Sequence, residues 1–289
     1  MVGNYGEDAA RARAGERARR RAQERRRLRR QRLLAILAFL LLLGGTAVAV
    51  AELRGGKTVA ASRDRRADWR PYTGPVPILE YHVLGRPRTE VPYPDLYLSR
   101  AAFRKQMDWL QRQGYEGVTL ETVEDAWYRG GKLPPRPVVV SFDDGYRPQF
   151  TFALPQLRRR GWPGVLNLKA EGSDLYRSNV EAMIDAGWEL AAHTIHHSDL
   201  TTLEGEALEE EVAGSRKILQ RDFHVPVNDF CYPAGRFDPT VIAAVEAAGY
   251  TGATTEIPGF ATRDHPYELA RIEVLGSWTL RDLAASLQG

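Results

Sequence analysis

The chain has 289 residues, of which 43% are hydrophobic and 27% are charged, and its formal net charge at pH 7 is +3. This length and composition are ordinary for one large globular domain or two small ones, and they exclude collagen-like, low-complexity and wholly disordered chains. The single cysteine, Cys231, excludes an internal disulfide framework.

The charge is distributed unevenly along the chain. Residues 1–32 contain 12 arginines and four acidic residues, a net charge of +8, so the remaining residues carry −5. The basic character belongs to a tail attached to a mildly acidic body. We therefore predict an Arg-rich cytoplasmic tail over residues 1–32 and no nucleic-acid partner.

An uncharged run of 19 residues follows the tail, at residues 33–51 (LLAILAFLLLLGGTAVAVA). As an α-helix it would span about 28 Å, close to the hydrocarbon thickness of a bilayer. Because arginines are retained on the cytoplasmic side, we predict an uncleaved single-pass anchor in the cytoplasmic membrane, with the chain beyond residue 52 extracellular. A buried globular helix is one alternative. A cleaved signal peptide is the other, because residues 47–49 (AVA) resemble a cleavage site.

The rest of the chain divides into a linker and a domain. Residues 52–75 are polar, contain glycine and proline and have no periodic apolar pattern, so they are predicted to be a linker. Residues 76–289 are 214 in number, which is enough to bury one sizeable core.

Short apolar runs and amphipathic segments alternate within residues 76–289. Ser99 is expected to cap a helix that has Phe103, Met107 and Leu110 on one face and ends at Gly114. The further predicted helices are 121–128, 149–160, 179–186, 203–222, 239–248 and 280–287. The predicted strands are 76–81, 117–120, 137–142, 164–168, 189–193, 227–232, 252–255 and 269–274. This alternation predicts an α/β fold, a distorted (β/α) barrel of about seven mainly parallel strands.

Polar segments follow three of these strands, and the loops at the carboxyl ends of barrel strands converge on one face. The first segment, residues 141–145 (SFDDG), contains two adjacent carboxylates, which repel each other unless a cation or a shared proton compensates. Taken alone, Asp-Asp-Gly is also ordinary turn chemistry.

The second and third segments supply imidazoles and a turn. Residues 193–197 (HTIHH) hold half of the chain's six histidines. His193 and His197 are four residues apart, so one turn can present both to a cation, and a carboxylate would complete a catalytic metal site. A solvated histidine cluster is the alternative, and His196 is expected to point away. The turn in residues 229–236 (DFCYPAGR) either directs backbone N–H groups into the site or is a plain turn.

In this order, the three segments resemble the motifs of the NodB-type polysaccharide deacetylases (carbohydrate esterase family four), over about residues 76–274. The first family motif, T/S-F-D-D-G, matches residues 141–145, and the second, H-S/T-x-x-H, matches residues 193–197. Three flanking segments resemble the branch that contains poly-N-acetylglucosamine deacetylases: residues 79–82 (LEYH), 230–235 (FCYPAG) and 269–272 (LARI).

The resemblance implies roles for the matching positions. Asp144, His193 and His197 would bind a divalent metal, most often zinc, and Asp143 would be the general base. The backbone N–H of Ala234 would stabilise the oxyanion, at a position where the family usually has tyrosine. A backbone donor tolerates that difference.

The sequence also departs from the family pattern. Cys231 stands where the third motif often begins with an arginine that orients the base, and Arg271 is the candidate substitute, with a structural ion pair as the alternative. The late Leu-x-His motif that carries the general acid is absent, so His82 is the candidate acid, with a structural histidine as the alternative. Tyr232 is a candidate to contact the sugar or to pack in the core.

Together these features predict a metal-dependent hydrolase that removes N-acetyl groups from cell-envelope or extracellular polysaccharide containing N-acetylglucosamine, with Asp143 as base toward an activated water. The alternatives are an O-acetyl polysaccharide (xylan-type) esterase and a catalytically weak carbohydrate-binding wall protein. The expected partners are the polysaccharide and the membrane, and the protein is expected to be a monomer.

Overall fold

The computed structural model describes residues 67–87 and 90–288. The predicted tail (1–32), the predicted anchor (33–51) and most of the predicted linker (52–75) lie outside these ranges. Within them, no helix combines the length and apolar character that a bilayer crossing requires.

Strands and helices alternate through the described residues. The strands are β1 (Arg70–Pro71), β2 (Ile78–Tyr81), β3 (Val83–Leu84), β4 (Tyr97–Leu98), β5 (Glu116–Val118), β6 (Lys132–Leu133), β7 (Pro137–Asp143), β8 (Val165–Leu168), β9 (Glu189–Ala192), β10 (Asp229–Cys231), β11 (Gly252–Pro258) and β12 (Leu269–Glu273). The helices are α1 (Arg100–Arg112), α2 (Leu120–Tyr128), α3 (Leu154–Arg160), α4 (Arg177–Asp185), α5 (Gly205–Glu209), α6 (Ser215–Phe223), α7 (Pro239–Ala247) and α8 (Leu280–Ser286).

Seven of the strands close into a parallel barrel, in the order β2, β12, β11, β10, β9, β8 and β7, with β7 pairing back to β2. Strand β5 pairs with the start of β7, where Glu116 lies opposite Pro137. The predicted (β/α) barrel of about seven strands is therefore confirmed. Strand β1 falls within the predicted linker and pairs with β6.

Helix α1 illustrates how local sequence signals set the element boundaries. The Ser99 side chain accepts a hydrogen bond from the Ala102 N–H, the expected N-cap. Phe103, Met107 and Leu110 are buried, as their spacing predicts. The predicted helix 203–222 is interrupted, because a π turn at Glu210–Gly214 separates α5 from α6.

The inward-facing side chains of β7 change from apolar to polar toward the carboxyl end of the strand. Successive residues of a strand point to opposite faces. In β7, Val138, Val140 and Phe142 pack under the helices, whereas Val139 belongs to a separate apolar cluster. The same alternation directs Asp143 inward. Strand β7 therefore delivers polar side chains to one end of the barrel.

Three carboxyl groups lie together at the opposite, amino end of the barrel. Asp229 and Glu124 are buried, and Glu189 begins β9. Burial raises the pKa of Asp229 well above its usual range, and the neighbouring Glu189 and Glu124 raise it further. Burial also raises the pKa of Glu189 to about 7. The folded protein thus retains protons that the unfolded chain releases above pH of about 4.

We predict that Asp229→Asn stabilises the protein increasingly as the pH rises from 5 to 8. A carboxyl with a raised folded-state pKa loses stability as the pH rises through that pKa, and an amide does not ionise. The expected gain at pH 8 is about 1–3 kcal/mol in urea unfolding. Asp264→Asn, at an exposed loop position, is the control. An equal effect of Asp229→Asn at both pH values would contradict the ionisation argument.

Candidate active site

The carboxyl end of the barrel is occupied by a buried carboxylate, Asp143, which ends β7. Both of its oxygens accept hydrogen bonds from Arg271 Nη1, at 2.9 and 3.0 Å. Asn167 donates to Oδ1 at 2.7 Å, and the Cys231 thiol lies 3.4 Å from Oδ2. Burial raises the pKa of Asp143, but Arg271, His82, His193 and Asn167 together lower it below its usual range. Asp143 is therefore ionised and can accept a proton.

Arg271 links two buried carboxylates. Its Nη1 contacts Asp143, its Nη2 lies 3.2 Å from Glu80 Oε2, and its Nε donates to the Thr255 carbonyl at 2.7 Å. Arg271 is 1% exposed, so these groups interact out of water. The contact between Arg271 and Asp143 that the sequence suggested is present, and a role in orienting the base remains a prediction.

His82, the candidate general acid, lies beside this pair. Its Nε2 is 3.7 Å from Glu80 Oε1. Donor atoms of His82, Glu80 and Asp143 lie within 4.8 Å of one another. Because the Arg271 guanidinium already lies between the two carboxyl groups, and burial raises the pKa of Glu80 well above its usual range, this group is a poor cation site. His82 is instead close enough to the base to act on the same substrate.

A second group brings together the three predicted metal ligands. Asp144 Oδ1 lies 3.6 Å from His197 Nε2 and 3.9 Å from His193 Nε2. The Nδ1–H of His193 donates to the Cys231 carbonyl at 2.8 Å, so its Nε2 carries the lone pair that faces Asp144. Burial lowers the pKa of His193 to about 4, which keeps the imidazole neutral, as a metal ligand must be.

Lys169 is an additional charge at this group. Its Nζ lies 3.5 Å from Asp144 Oδ1. The residue follows β8, where Val165, Asn167 and Lys169 alternate toward the barrel interior. Lys169 was not among the site residues predicted from the sequence, and neither were Asn167 and Glu80. Each is a polar residue in or directly after an otherwise apolar strand, and that signal would have found them.

The loops that carry these side chains have strained backbone. Among the described residues, five that are not glycine have a positive φ, and four of these belong to the three motif segments: Asp144 (72°), Thr194 (61°), His197 (64°) and Ala234 (50°). Such conformations cost about 1–3 kcal/mol each and persist where surrounding contacts impose them. A Cβ at Gly145, the next position after Asp144, would lie 2.6 Å from Leu168 Cδ1, so only glycine fits there.

The third segment forms the expected turn, and its Tyr232 side chain is buried. Gly235 N–H donates to the Tyr232 carbonyl and Arg236 N–H to the Pro233 carbonyl, and neither bond uses the Ala234 N–H. Tyr232 is fully buried, stacks on Phe237 at 5.0 Å between ring centroids and donates to the Tyr267 carbonyl. The Tyr232 ring therefore packs in the core, and its contact with substrate stays a prediction.

Cys231 and His196 behave as expected from their surroundings. Burial raises the pKa of the Cys231 thiol well above its usual range, so the thiol is not an activated nucleophile. Its Sγ lies within 4.8 Å of donor atoms of Asp143 and His193. The His196 side chain is 59% exposed and points away from His193 and His197, toward Glu211 and Glu171.

A closed parallel barrel with an ionised carboxylate and a carboxylate–imidazole group at the carboxyl ends of its strands defines the class of the protein, a (β/α) barrel with a hydrolytic type of site. Residues 130–253 match the family model described as polysaccharide deacetylase. This match confirms the resemblance to polysaccharide deacetylases that the motifs indicated.

Individual relatives agree with this assignment. The chain is 29% identical over 204 residues to the candidate polysaccharide deacetylase YxkH of Bacillus subtilis, which covers 69% of this chain and 71% of the relative. The crystal structure of BC0361, a polysaccharide deacetylase from Bacillus cereus, has a TM-score of 0.65 and 26% identity, covering 74% of this chain and 69% of that one. A shorter segment of 66 residues is 42% identical to the poly-β-1,6-N-acetyl-D-glucosamine N-deacetylase of Escherichia coli and covers 22% of this chain and 10% of that protein.

We predict that Arg271→Met destabilises the protein by about 3–5 kcal/mol at pH 8 and by less at pH 5, measured by urea unfolding. Removing one partner of a buried ion pair leaves an uncompensated charge, and here two carboxylates lose the same partner. Both can take up protons at the lower pH. Arg263→Met, in an exposed loop, is the control. A loss below about 1 kcal/mol at both pH values would show that the pairs are dispensable.

Proposed function

We propose that this protein is a metal-dependent deacetylase that hydrolyses N-acetyl groups of a polysaccharide containing N-acetylglucosamine, in the cell envelope or outside the cell. The observation that carries the proposal is the position of the ionised Asp143 directly beside a group of one carboxylate and two imidazoles. The match to the polysaccharide deacetylase family model and the similarity to the Escherichia coli N-deacetylase support the choice of substrate class.

The donor set fits a divalent ion. Asp144, His193 and His197 offer one ligand atom each, and these atoms lie within 4.8 Å of one another. Ligands of a tetrahedral zinc ion lie about 2 Å from the metal and therefore about 3.3 Å apart. The separations of 3.6 and 3.9 Å in the structure need only a small contraction. A bound ion would polarise the acetyl carbonyl and make water more acidic.

The remaining chemistry belongs to the chain's own residues. Asp143 would accept a proton from the water that attacks the acetyl carbon, because Arg271 and Asn167 hold it ionised and oriented. The N–H of Ala234 would donate to the carbonyl oxygen as negative charge develops there. His82 would donate a proton to the departing nitrogen, which is a poor leaving group as an amide anion. Acetate and a free amine would result.

We also propose that the domain acts outside the cytoplasmic membrane. This rests on the Arg-rich residues 1–32 followed by the uncharged residues 33–51, which together have the pattern of an anchor with a cytoplasmic amino terminus. A tethered deacetylase would meet cell-envelope glycan at short range. Protease protection of the full chain in spheroplasts and in inverted vesicles tests this orientation.

The central test is acetate release by the purified full-length chain from β-1,6-linked N-acetylglucosamine oligomers, with acetylated xylan as a parallel substrate. We expect release from the N-acetylated oligomers, loss of release after treatment with a chelator and recovery on adding zinc. Asp144→Ala should lower the rate at least 100-fold, because it removes a ligand. Asp264→Ala, an exposed aspartate, is the matched control.

Three results would contradict this proposal. If the metal-loaded protein releases acetate from xylan alone, the esterase function replaces it. If neither substrate yields acetate although the protein binds glycan, the chain is a binding protein. Chelator-resistant release would contradict metal dependence.

A separate prediction concerns His82. We expect His82→Gln to lower turnover of the N-acetyl substrate at least 100-fold, within the range of a general acid, while turnover of p-nitrophenyl acetate changes little. The nitrophenolate leaving group needs no proton, whereas the amine does. His265→Gln, at a loop histidine, is the control. Normal turnover of the amide by His82→Gln would exclude the acid role.

A further inference from the structure

The loop that carries two of the three predicted metal ligands, residues 193–198, has strained backbone, and within it the His197 N–H donates to Thr194 Oγ1 at 2.8 Å. Thr194 and His197 both have backbone in the left-handed region, at φ of 61° and 64°. Threonine is β-branched, and its side chain makes this conformation especially unfavourable. Contacts from outside the loop therefore add to this bond in imposing the conformation that presents His193 and His197 to a common point.

One buried carboxylate, Glu211, supplies four of these outside contacts. Its Oε2 accepts hydrogen bonds from the N–H groups of Ile195 and His196, at 2.9 and 3.0 Å. Its Oε1 accepts from His196 Nδ1 at 2.6 Å and from the Ser198 hydroxyl at 3.1 Å. Glu211 thus accepts four hydrogen bonds from three residues of the loop. Ile195 and His196 lie between the two predicted ligands, and Ser198 follows the second.

A π turn between α5 and α6 places the Glu211 carboxylate against the loop. Glu211 is the only member of the run Glu209, Glu210 and Glu211 that is buried. It lies in the π turn Glu210–Gly214, whose extra residue changes the direction in which the following side chains point. The five residues of this π turn interrupt a helix that the sequence periodicity predicts to be continuous, and π turns of this kind are frequent at functional sites.

Packing at the same turn adds a second constraint. The Ile195 side chain is buried, and a Cβ at Gly214 would lie 3.2 Å from Ile195 Cδ1. The absence of a side chain at Gly214 therefore lets the tip of the loop settle on the helix. The Thr194 and Ile195 carbonyls also accept hydrogen bonds from Ala170 and Glu171 N–H groups, which tie the opposite side of the loop to the segment after β8.

The geometry points to a positioning role, and we propose that Glu211 holds residues 193–198 in the conformation that binds the divalent ion, and thereby sets the affinity of the site for that ion. The inference rests on the proposed function, since it concerns the same metal site. Glu211 touches neither His193 nor His197 and is not a ligand. It acts through the backbone on both sides of Ile195 and through His196, the histidine that the metal site leaves out.

The chemistry of the side chain makes the proposal specific. A carboxylate only accepts hydrogen bonds, and all four groups of the loop that contact it are donors. Glutamine has nearly the same size, but its NH₂ group would face two of these donors and repel them. Aspartate keeps the charge but is one methylene shorter and cannot reach both sets of donors from the same helix position.

The experiment measures metal affinity rather than activity. The full-length chain and its variants are titrated with Zn²⁺ and Co²⁺ in competition with a chromophoric chelator, at a temperature where each variant is folded by circular dichroism. We expect Glu211→Gln and Glu211→Asp to raise the Kd at least tenfold, the usual effect of removing a group that orients ligands. Glu210→Gln, the adjacent exposed glutamate, should leave the Kd within twofold of the wild type.

A second variant keeps the test decisive if substitutions at Glu211 prevent folding. Ser198→Ala removes a single hydroxyl donor from Oε1, and we expect a rise in Kd of about threefold, with a changed visible absorption of the Co²⁺ form because the ligand geometry relaxes. An unchanged Kd in a folded Glu211→Gln variant, with only a lower Tm, would show that Glu211 is merely structural. If Glu211→Gln does not fold, an unchanged Kd and spectrum in Ser198→Ala would overturn the proposal instead.

The outcomes also separate this inference from the proposed function. If Asp144→Ala abolishes metal binding while Glu211→Gln leaves it intact, the positioning role fails and the metal site stands. If the wild-type chain binds neither ion, the metal-dependent function fails and the inference fails with it.

Discussion

The carboxyl end of the barrel depends on one interaction, the contact of the Arg271 guanidinium with the buried carboxyl groups of Asp143 and Glu80. Burial raises the pKa of both carboxyl groups, and that of Glu80 stays well above its usual range, whereas Arg271, within 3.2 Å of both, and the other neighbours of Asp143 lower the pKa of Asp143 below its usual range. The three residues belong to β12, β7 and β2, the strands that meet where the barrel closes. The same contacts therefore join the first and last strands and keep Asp143 ionised.

The position of a residue along its strand decides whether it can reach this site. In β7 the inward position near the amino end is apolar and those near the carboxyl end are polar. Because parallel strands all end at the same face, residues far apart in sequence meet there: Asp143 and Arg271 are 128 positions apart. The turns after the strands carry Asp144, His197 and Ala234, which have positive φ. The ligand atoms of Asp144 and His197 lie within 4.8 Å of each other.

The proposed chemistry uses separate environments for adjacent carboxylates. Asp143 is buried and neutralised by an arginine, whereas its neighbour Asp144 faces two imidazoles and a lysine ammonium. Two identical side chains next to each other in sequence thus have different partners, which is how one can serve as base while the other serves as ligand. The departure from the family at Cys231 is compensated in space, since Arg271 reaches the base from another strand.

Sequence alone predicts the alternation of strands and helices, a barrel of about seven strands and the positions of the carboxylates and histidines, because side-chain periodicity and turn residues act locally. Resemblance to a family also made Arg271 the candidate partner of Asp143. The folded chain was needed to show that Tyr232 lies in the core, that Asn167, Glu80 and Lys169 belong to the site, and that Glu211 is the buried one of three glutamates. These depend on strand register, on a π turn and on packing between distant segments, and no local pattern encodes which side chains will meet across a closed barrel.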